Sequence, residues 1–413
     1  MFDEHNYRLN LEPKFISGVL HPALGSAFSL TVKKLTTCLL FFCLSLPAFA
    51  DHIHHLWYNN STWQDRDLTA LTHGGIATSY GGIAAFYTTP NHQLHVYYVD
   101  NNAQHVHQLY DNGKTWSDED LTAVTGGPTA YPAGISGFSI GNLQYVFYVD
   151  TNLHVHELNY NNVGWTDQDL ISLTNGHLAD TAPLLAFPTK PNNQFHVYYQ
   201  GTDIHMYQLY FDGSSWSNED LTSAVGGAYC DSTLWMAGFA VGNLQHFFCA
   251  GYGFSSNLDM LHFYYNNSRW VYEDVTFLSG GSETPMHVGT GVAAFKVPGA
   301  NQFEVWGITD DTHFNRYTHV VKPAQWIDYD ETNGIGAPPD SQSGGIAAFV
   351  TTPNNQYHVF YAPSTEIYQI YYNGTAWSVE DLTGGKGQAD PNSGIAGFAI
   401  GNLQHVFYMS SGN

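Results

Sequence analysis

A short sequence pattern recurs seven times between residue 51 and the C-terminus. A clear copy contains GISGF (134–138), LQYVFYVD (143–150), LHVHELNY (153–160) and WTDQDL (165–170). Each run alternates apolar or aromatic residues with polar ones, and Gly, Asn or Asp residues separate the runs. This arrangement is typical of short antiparallel strands joined by turns. A unit of about 50 residues cannot bury both faces of such a sheet alone, so the pattern predicts sheets that stack on one another.

Two sequence anchors count the copies independently. The first is a Phe in the first strand, at positions 86, 138, 187, 239, 295, 349 and 398. The second is the motif W-x-x-x-D, which begins at Trp63, Trp116, Trp165, Trp216, Trp270, Trp326 and Trp377. Both anchors predict seven four-stranded sheets.

The phase of the pattern at the two ends predicts a closed ring. The repeat region opens with a third and a fourth strand (52–58 and 63–68) and ends with a first and a second strand (394–398 and 403–409). A blade shared between the termini would close the ring and remove the open sheet edges. We therefore predict an all-β fold, a seven-bladed β-propeller closed by a split blade.

The first 50 residues have a different character. Lys33 and Lys34 precede an apolar run over 35–46, and Pro47 to Ala50 supply an A-x-A cleavage pattern. This predicts an N-terminal extension plus a secretory signal peptide in 1–50, with cleavage after Ala50, and a single propeller domain in 51–413. The expected location is secreted or periplasmic. No later run is long enough to cross a bilayer, so no membrane insertion is predicted.

Composition limits the partners. The net charge is −24, with 12 Lys and Arg against 36 Asp and Glu, so the chain cannot neutralise a phosphate backbone and no nucleic-acid partner is expected. Aromatic residues make up 15% of the chain and charged residues 12%, which suits a neutral, hydroxylated ligand. Cys230 and Cys249 lie in one repeat of an exported chain, where both a disulfide and a buried free thiol are consistent with their spacing.

Three groups of residues have side chains that could carry chemistry. The Trp and Asp of W-x-x-x-D recur in every blade, which favours packing for the Trp and a turn cap for the Asp. The H-x-H pairs at 52–54, 105–107 and 154–156 place two imidazoles on one strand face, but no spacing nominates a third ligand. No G-x-S-x-G or H-E-x-x-H motif occurs. We therefore predict no metal, no cofactor and no catalytic residue.

Two segments carry a resemblance to a known family. HVYYQ (196–200) with IHMYQLYFDGSSW (204–216), and YVFYV (145–149) with LHVHELNYNNVGW (153–165), resemble the repeat of the fungal and bacterial fucose-binding propeller lectins. Every repeat after residue 51 carries a version of this pattern. The resemblance implies sugar sites between neighbouring blades, each held by an Arg that opens strand two, a Glu on strand three and an aromatic residue of the adjacent blade.

The chain departs from that pattern at the polar positions. The Arg position is occupied by His95, Tyr145, His196, His246, Glu304, His358 and His405. The Glu position is occupied by Gln108, Glu157, Gln208, His262, Thr318, Gln369 and His55. Repeat 5 departs most from the sequence pattern, so its two residues, Glu304 and Thr318, are not predicted to bind ligand. The other twelve residues are the predicted ligand-binding set. A His that contacts ligand should lose binding as the pH falls through about 6.5.

The favoured function is a secreted, multivalent, lectin-like carbohydrate-binding protein with shallow sites between blades. Its expected partners are glycans or glycoconjugates, and the sequence is compatible with an oligomer. Two alternatives stay open: an exported glycan-processing enzyme that uses the axial cleft, and a protein-interaction propeller.

Overall fold

Seven antiparallel sheets follow one another along the chain in the computed structural model. The structure describes residues 51–411, except for 182, 232–234, 254–256, 281–284, 290, 301, 322–323, 341–343 and 386–387. The predicted signal peptide and its cleavage site lie outside the described residues. In the described part of the chain, no helix combines the length and apolar character that a membrane crossing requires.

The strands follow the predicted repeat, whereas the short helices after most fourth strands were not predicted. The chain begins with β1 (His52–Tyr58), β2 (Trp63–Asp67) and α1 (Leu68–Thr72). Blade 1 contains β3 (Ala84–Thr88), β4 (Gln93–Val99), β5 (Val106–Asp111) and β6 (Trp116–Asp120), followed by α2 (Leu121–Thr125). Blade 2 contains β7 (Ala130–Ile140), β8 (Leu143–Asp150), β9 (Val155–Tyr160) and β10 (Trp165–Asp169), followed by α3 (Leu170–Thr174). Blade 3 contains β11 (Leu185–Pro188), β12 (Phe195–Gln200), β13 (Met206–Phe211) and β14 (Trp216–Asp220), followed by α4 (Leu221–Val225).

The second half of the chain continues in the same order. Blade 4 contains β15 (Tyr229–Cys230), β16 (Met236–Val241), β17 (Leu244–Tyr252), β18 (Asp259–Tyr265) and β19 (Trp270–Asp274), followed by α5 (Val275–Leu278). Blade 5 contains β20 (Ala293–Lys296), β21 (Gln302–Ile308), β22 (Phe314–Val321) and β23 (Ala324–Asp330), followed by α6 (Glu331–Ile335). Blade 6 contains β24 (Ala347–Val350), β25 (Tyr357–Tyr361), β26 (Tyr368–Tyr372) and β27 (Trp377–Asp381). The chain ends with β28 (Ile395–Ile400) and β29 (Leu403–Ser410).

Blade 7 is shared between the two ends of the chain. Its strand order is β2-β1-β29-β28, and β1 pairs with β29 in antiparallel register, with His52 opposite Ser410 and Tyr58 opposite Gln404. The predicted seven-bladed propeller and its split blade are therefore confirmed. The ring closes through main-chain hydrogen bonds, so neither terminal pair of strands leaves an open edge.

The Trp and the Asp of the repeated W-x-x-x-D motif each have a local structural role. In six of the seven copies, the Asp is the N-cap of a short helix in the described residues; Asp120 Oδ1, for example, accepts a hydrogen bond of 2.9 Å from the backbone N–H of Ala123. Asp381 instead accepts hydrogen bonds of 2.9 Å from the backbone N–H groups of Thr383 and Gly384. The second carboxylate oxygen of Asp120 lies 2.7 Å from Nδ1 of His105. The Trp reaches back to the preceding blade; Trp165 packs edge-on against Tyr97 with ring centroids 6.2 Å apart. The Trp packs against a neighbouring blade, and the Asp that was predicted to cap a turn caps a short helix in most copies.

The hydrophobic core lies between the blades. Phe147 and Val149 of blade 2 pack in one buried cluster with Val197 and Tyr199 of blade 3. The same kind of cluster recurs around the ring, because alternate residues of each strand face the next sheet. Stacking of this kind buries the two apolar faces that one blade cannot bury alone.

The two cysteines of blade 4 are bonded to each other. Cys230 and Cys249 form a disulfide whose Cα atoms are 5.8 Å apart, although Cys249 pairs with Met236 in the sheet and not with Cys230. The second His of an H-x-H pair faces carboxylates: His107 Nδ1 lies 3.1 Å from Asp118. Among the described residues, no three His, Cys, Asp or Glu side chains form a group that could hold a metal ion.

Candidate functional site

In the described part of the chain, four clefts between neighbouring blades contain most of the predicted site residues. We name them cleft A (blades 1 and 2), cleft B (blades 2 and 3), cleft C (blades 3 and 4) and cleft D (blades 6 and 7). Their volumes are about 540, 670, 630 and 550 Å³ respectively. Volumes of this size are typical of small-molecule sites.

A buried chain of hydrogen bonds forms the back wall of cleft A. Nε2 of His95 lies 3.0 Å from Oγ1 of Thr88, and Nδ1 of His95 lies 2.5 Å from Nε2 of Gln108. The same amide nitrogen of Gln108 donates to Oε1 of Gln144 at 3.0 Å. Gln144 belongs to blade 2, so this chain of polar groups joins two blades.

The same chain recurs in two other clefts. In cleft C, Thr189, His196, Gln208 and Gln245 are joined at distances of 3.1, 2.6 and 2.6 Å. In cleft D, Thr351, His358, Gln369 and Gln404 are joined at 3.2, 2.5 and 2.9 Å. These three clefts involve the repeats whose first hairpin carries the Pro-Asn form, at 88–91, 189–192 and 351–354.

The hydrogen bonds determine the charge state of these histidines. An amide Nε2 can only donate, so Nδ1 of His196 accepts from Gln208 and its Nε2–H donates to Thr189. Burial lowers the pKa of His95 and of His196 to about 3 and that of His358 to about 4. The expectation that these residues titrate near pH 6.5 is therefore wrong. Both ring nitrogens are already bonded, so the imidazole holds the Gln amide in place.

The amide groups face the clefts with unused bonding capacity. Among the described residues, no hydrogen bond engages Oε1 of Gln108 or Nε2 of Gln144, and both side chains line cleft A. The equivalent atoms of clefts C and D, on Gln208, Gln245, Gln369 and Gln404, are likewise without a partner in the described part of the chain. Each of these clefts thus presents one free acceptor and one free donor group.

A carboxylate on the fourth strand completes clefts A, C and D. Glu119, Glu219 and Glu380 line these clefts and lie directly opposite Gln108, Gln208 and Gln369 in the sheet register. Sequence reasoning missed these carboxylates and the Gln residues of the adjacent blade. Two signals could have found them: the motif W-S-x-E-D recurs at 116–120, 216–220 and 377–381, and G-N-L-Q recurs at 141–144, 242–245 and 401–404.

An indole ring of the next blade forms one wall of every cleft. Trp165, Trp216, Trp270 and Trp63 line clefts A, B, C and D in that order. In cleft C, Nε1–H of Trp270 donates to Oε2 of Glu219 at 3.2 Å. The Trp that was predicted to serve packing therefore also brings an aromatic surface beside the polar groups.

Cleft B has a different polar centre. Tyr145 and Glu157, the predicted pair of blade 2, both line it, together with Phe195 and Trp216 of blade 3. Glu157 is 6% exposed. Burial raises the pKa of Glu157 to about 7, against hydrogen bonds from Asn159 and Trp216 that lower it. Gln168 takes the place of the fourth-strand Glu, so the acidic group of this cleft lies on strand three.

The predicted His pairs of blades 4 and 7 are also brought together, but outside these four clefts. His246 Nδ1 lies 2.9 Å from His262 Nε2, and Phe303 of blade 5 packs against His246 with ring centroids 4.8 Å apart. His405 Nδ1 lies 3.0 Å from His55 Nε2. Burial lowers the pKa of His246 to about 3 and that of His405 to about 4.

Blade 5 fills the corresponding position with an internal ion pair. Arg316 Nη1 lies 3.3 Å from Oε2 of Glu304, and its Nε lies 2.6 Å from Oε1 of Glu331. Thr318 donates to the same oxygen of Glu304 at 2.7 Å. The two positions that the lectin resemblance assigns to ligand in this repeat are thus engaged by the protein itself.

Comparison with known proteins supports the resemblance. The sequence model of the fungal fucose-specific lectins matches residues 46–178. The crystal structure of the BP39L lectin from Burkholderia pseudomallei is similar in fold, with a TM-score of 0.56 at 16% identity over 81% of this chain and 98% of that one. The Aleuria aurantia lectin, described as a six-bladed β-propeller with a fucose recognition mode, aligns with a TM-score of 0.49 at 15% identity over 73% of this chain and 95% of that one. No curated protein sequence matches the chain.

Proposed function

We propose that the chain is a secreted, multivalent carbohydrate-binding protein whose sites are clefts A to D. The observation that carries this proposal is the repeated association of an indole wall with uncommitted polar atoms. In cleft A, Trp165 supplies the indole wall. The polar atoms are the free amide atoms of Gln108 and Gln144 and the carboxylate of Glu119. The match to fucose-specific lectins over residues 46–178 supports the same ligand class.

This set of groups suits a sugar ring. The C–H face of a pyranose packs on an aromatic surface, and its hydroxyls both donate and accept hydrogen bonds. An amide pair offers a donor and an acceptor, and a carboxylate accepts from a diol more strongly than a neutral group does. No Arg is among the described residues that line clefts A, B or D, so the polar groups described there are neutral or acidic.

Repetition of the clefts around one ring offsets weak binding at each. Since the four clefts belong to one closed domain, binding of a branched or surface-bound glycan at one cleft raises the effective concentration at the next. The signal-peptide pattern ending at Ala50 would deliver the domain to a compartment where such glycans are displayed.

The proposal can be tested by blocking the clefts from exposed turns. Ser61, Val163, Ser214 and Ser268 each lie two residues before the Trp of a cleft and line its mouth, and all four are exposed. A protein covering residues 51–413 should bind members of a glycan array, and changing all four residues to Trp should abolish that binding.

The ring offers matched control positions. Lys114 and Thr375 occupy the same place in the turn but line none of the four clefts. Changing both to Trp should leave glycan binding intact. Wild-type protein that binds no glycan, or a blocked variant that binds as well as the control, would overturn the proposal.

A further inference from the structure

The described residues that line clefts A and D include carboxylates without a neighbouring cation, and this charge affects which sugars could bind there. In the part of the chain that the structure describes, the lining of cleft A contains the carboxylate of Glu119 and no Lys or Arg. Among the described residues, the lining of cleft D contains Glu380 and Asp381 and likewise no Lys or Arg; Lys386 lies outside the described residues. Their histidines, His95 and His358, are held neutral by the bonds to both ring nitrogens described above.

Each carboxylate lies among groups that suit a cation bearing several N–H donors. Glu119 is opposite Gln108 in the sheet and shares cleft A with the indole of Trp165. A carboxylate and an aromatic face together attract an ammonium group through an ion pair and a cation–π contact. The buried Gln108, 3% exposed, supplies an amide oxygen with no partner among the described residues, and this oxygen can accept a further ammonium hydrogen.

The other two clefts differ in this respect. Cleft C contains Glu219 but also the exposed guanidinium of Arg269 at its mouth, so its net charge is balanced. Cleft B has Gln168 at the fourth-strand position, and its only carboxylate, Glu157, is buried. The imbalance therefore belongs to two of the four clefts.

We propose that clefts A and D bind amino sugars with a free, protonated amine in preference to the same sugars in N-acetylated form, and that they discriminate against sugars bearing a carboxylate or a sulfate. This inference rests on the proposed carbohydrate-binding function and names its substrate class. An acetamido group has lost the charge that Glu119 and Glu380 attract, and an anionic sugar meets like charge with no compensating cation among the described lining residues.

The test compares matched sugars by calorimetric titration at about pH 6, where an aliphatic amine is protonated. The ligands are 2-amino-2-deoxy and 2-acetamido-2-deoxy oligosaccharides of both the gluco and the galacto series, with a uronic acid oligomer as the anionic probe. The amine form should bind about tenfold more tightly than the acetamido form. That preference should shrink in high salt, because charge attraction near the surface is screened.

Two variants that remove equal negative charge test whether the preference belongs to the clefts. Changing Glu119 and Glu380 to Gln keeps the shape and should abolish the preference for the amine. Changing Asp310 and Glu366, which line none of the four clefts, to Asn and Gln removes the same charge elsewhere and should leave it unchanged.

The possible outcomes separate this inference from the function on which it rests. Equal or tighter binding of the acetamido form, or a preference that survives in E119Q/E380Q, would overturn the inference and leave glycan binding in place. Absence of binding to every sugar, on the array as well as in solution, would overturn both. Loss of the preference in the D310N/E366Q control would show a general effect of net charge and would also overturn the inference.

Discussion

Nε2 of Gln208 donates a hydrogen bond of 2.6 Å to Nδ1 of His196, and the same nitrogen reaches Oε1 of Gln245 on the next blade at 2.6 Å. His196 is thereby neutral and fully bonded, with Thr189 on its other nitrogen. The His residue orients the amide, and the amide joins two blades. The lectin resemblance implies a ligand contact at His196, but in the structure this residue positions the amide of Gln208, which lines cleft C.

Neutral His196 should make the propeller sensitive to acid. The pKa of its imidazole is lowered to about 3, whereas that of an unfolded His is about 6.5. Below pH 6.5 the unfolded chain takes up a proton that the folded chain does not, so stability falls by about 1.4 kcal/mol per pH unit for this residue. Between pH 6.5 and 5, the free energy of unfolding of His196→Gln should therefore fall by about 1.6 kcal/mol less than that of wild type. Urea unfolding at the two pH values measures this, and equal losses in both proteins would contradict it.

Much of the fold could be predicted because its determinants are local. Strand alternation, turn residues and the spacing of Trp63 to Trp377 repeat within each copy, and the phase at the two ends specifies closure. The pairing of His196 with Gln208 also follows from alternation. Gln208 is opposite Tyr198 in the register, two residues from His196, so both side chains lie on the same face.

The role of each site residue could not be predicted in the same way. Whether His95 has a free ring nitrogen depends on its hydrogen bond to Thr88 and on its burial against the next blade. The identities of His95 and its strand-three partner alone specify neither of these. Gln144 was missed because it belongs to the adjacent blade, and Glu119 because the resemblance placed the acidic group on strand three. In this ring, only Glu157 keeps that placement.

Glu157 should destabilise the fold at neutral and alkaline pH. Its pKa in the folded state is about 7, against an ordinary value of 4.5, so the unfolded chain releases its proton first as the pH rises. Glu157→Gln should raise the free energy of unfolding by about 3 kcal/mol at pH 8 and leave it unchanged at pH 4. Denaturant unfolding at both values tests this. A gain of the same size at pH 4 would indicate a packing effect instead.

The disulfide between Cys230 and Cys249 should stabilise blade 4. The two residues are 19 positions apart, and closing a loop of that length in the unfolded chain is worth about 3 kcal/mol. Changing both to Ala should lower stability by roughly that amount under oxidising conditions. Wild type in reductant should lose a similar amount, and the variant should not respond to reductant. If reductant destabilises the variant as much as wild type, the effect does not come from this bond.

Closure of the ring makes the first strands essential to the whole domain. Deletion of residues 51–69 removes β1 and β2, and with them the buried side chains of Ile53, Leu56 and Leu68. The deletion leaves β29 as an open edge, so the propeller should unfold cooperatively and not merely lose one blade. A circular permutant is the matched control for the deletion. Because His52 lies opposite Ser410, a short linker can join the old ends, and new termini can be placed in the exposed turn at 112–115. This permutant keeps every strand and should melt near the wild-type temperature. A deletion variant with an unchanged melting transition, or a permutant that is as unstable as the deletion, would contradict the role of the split blade.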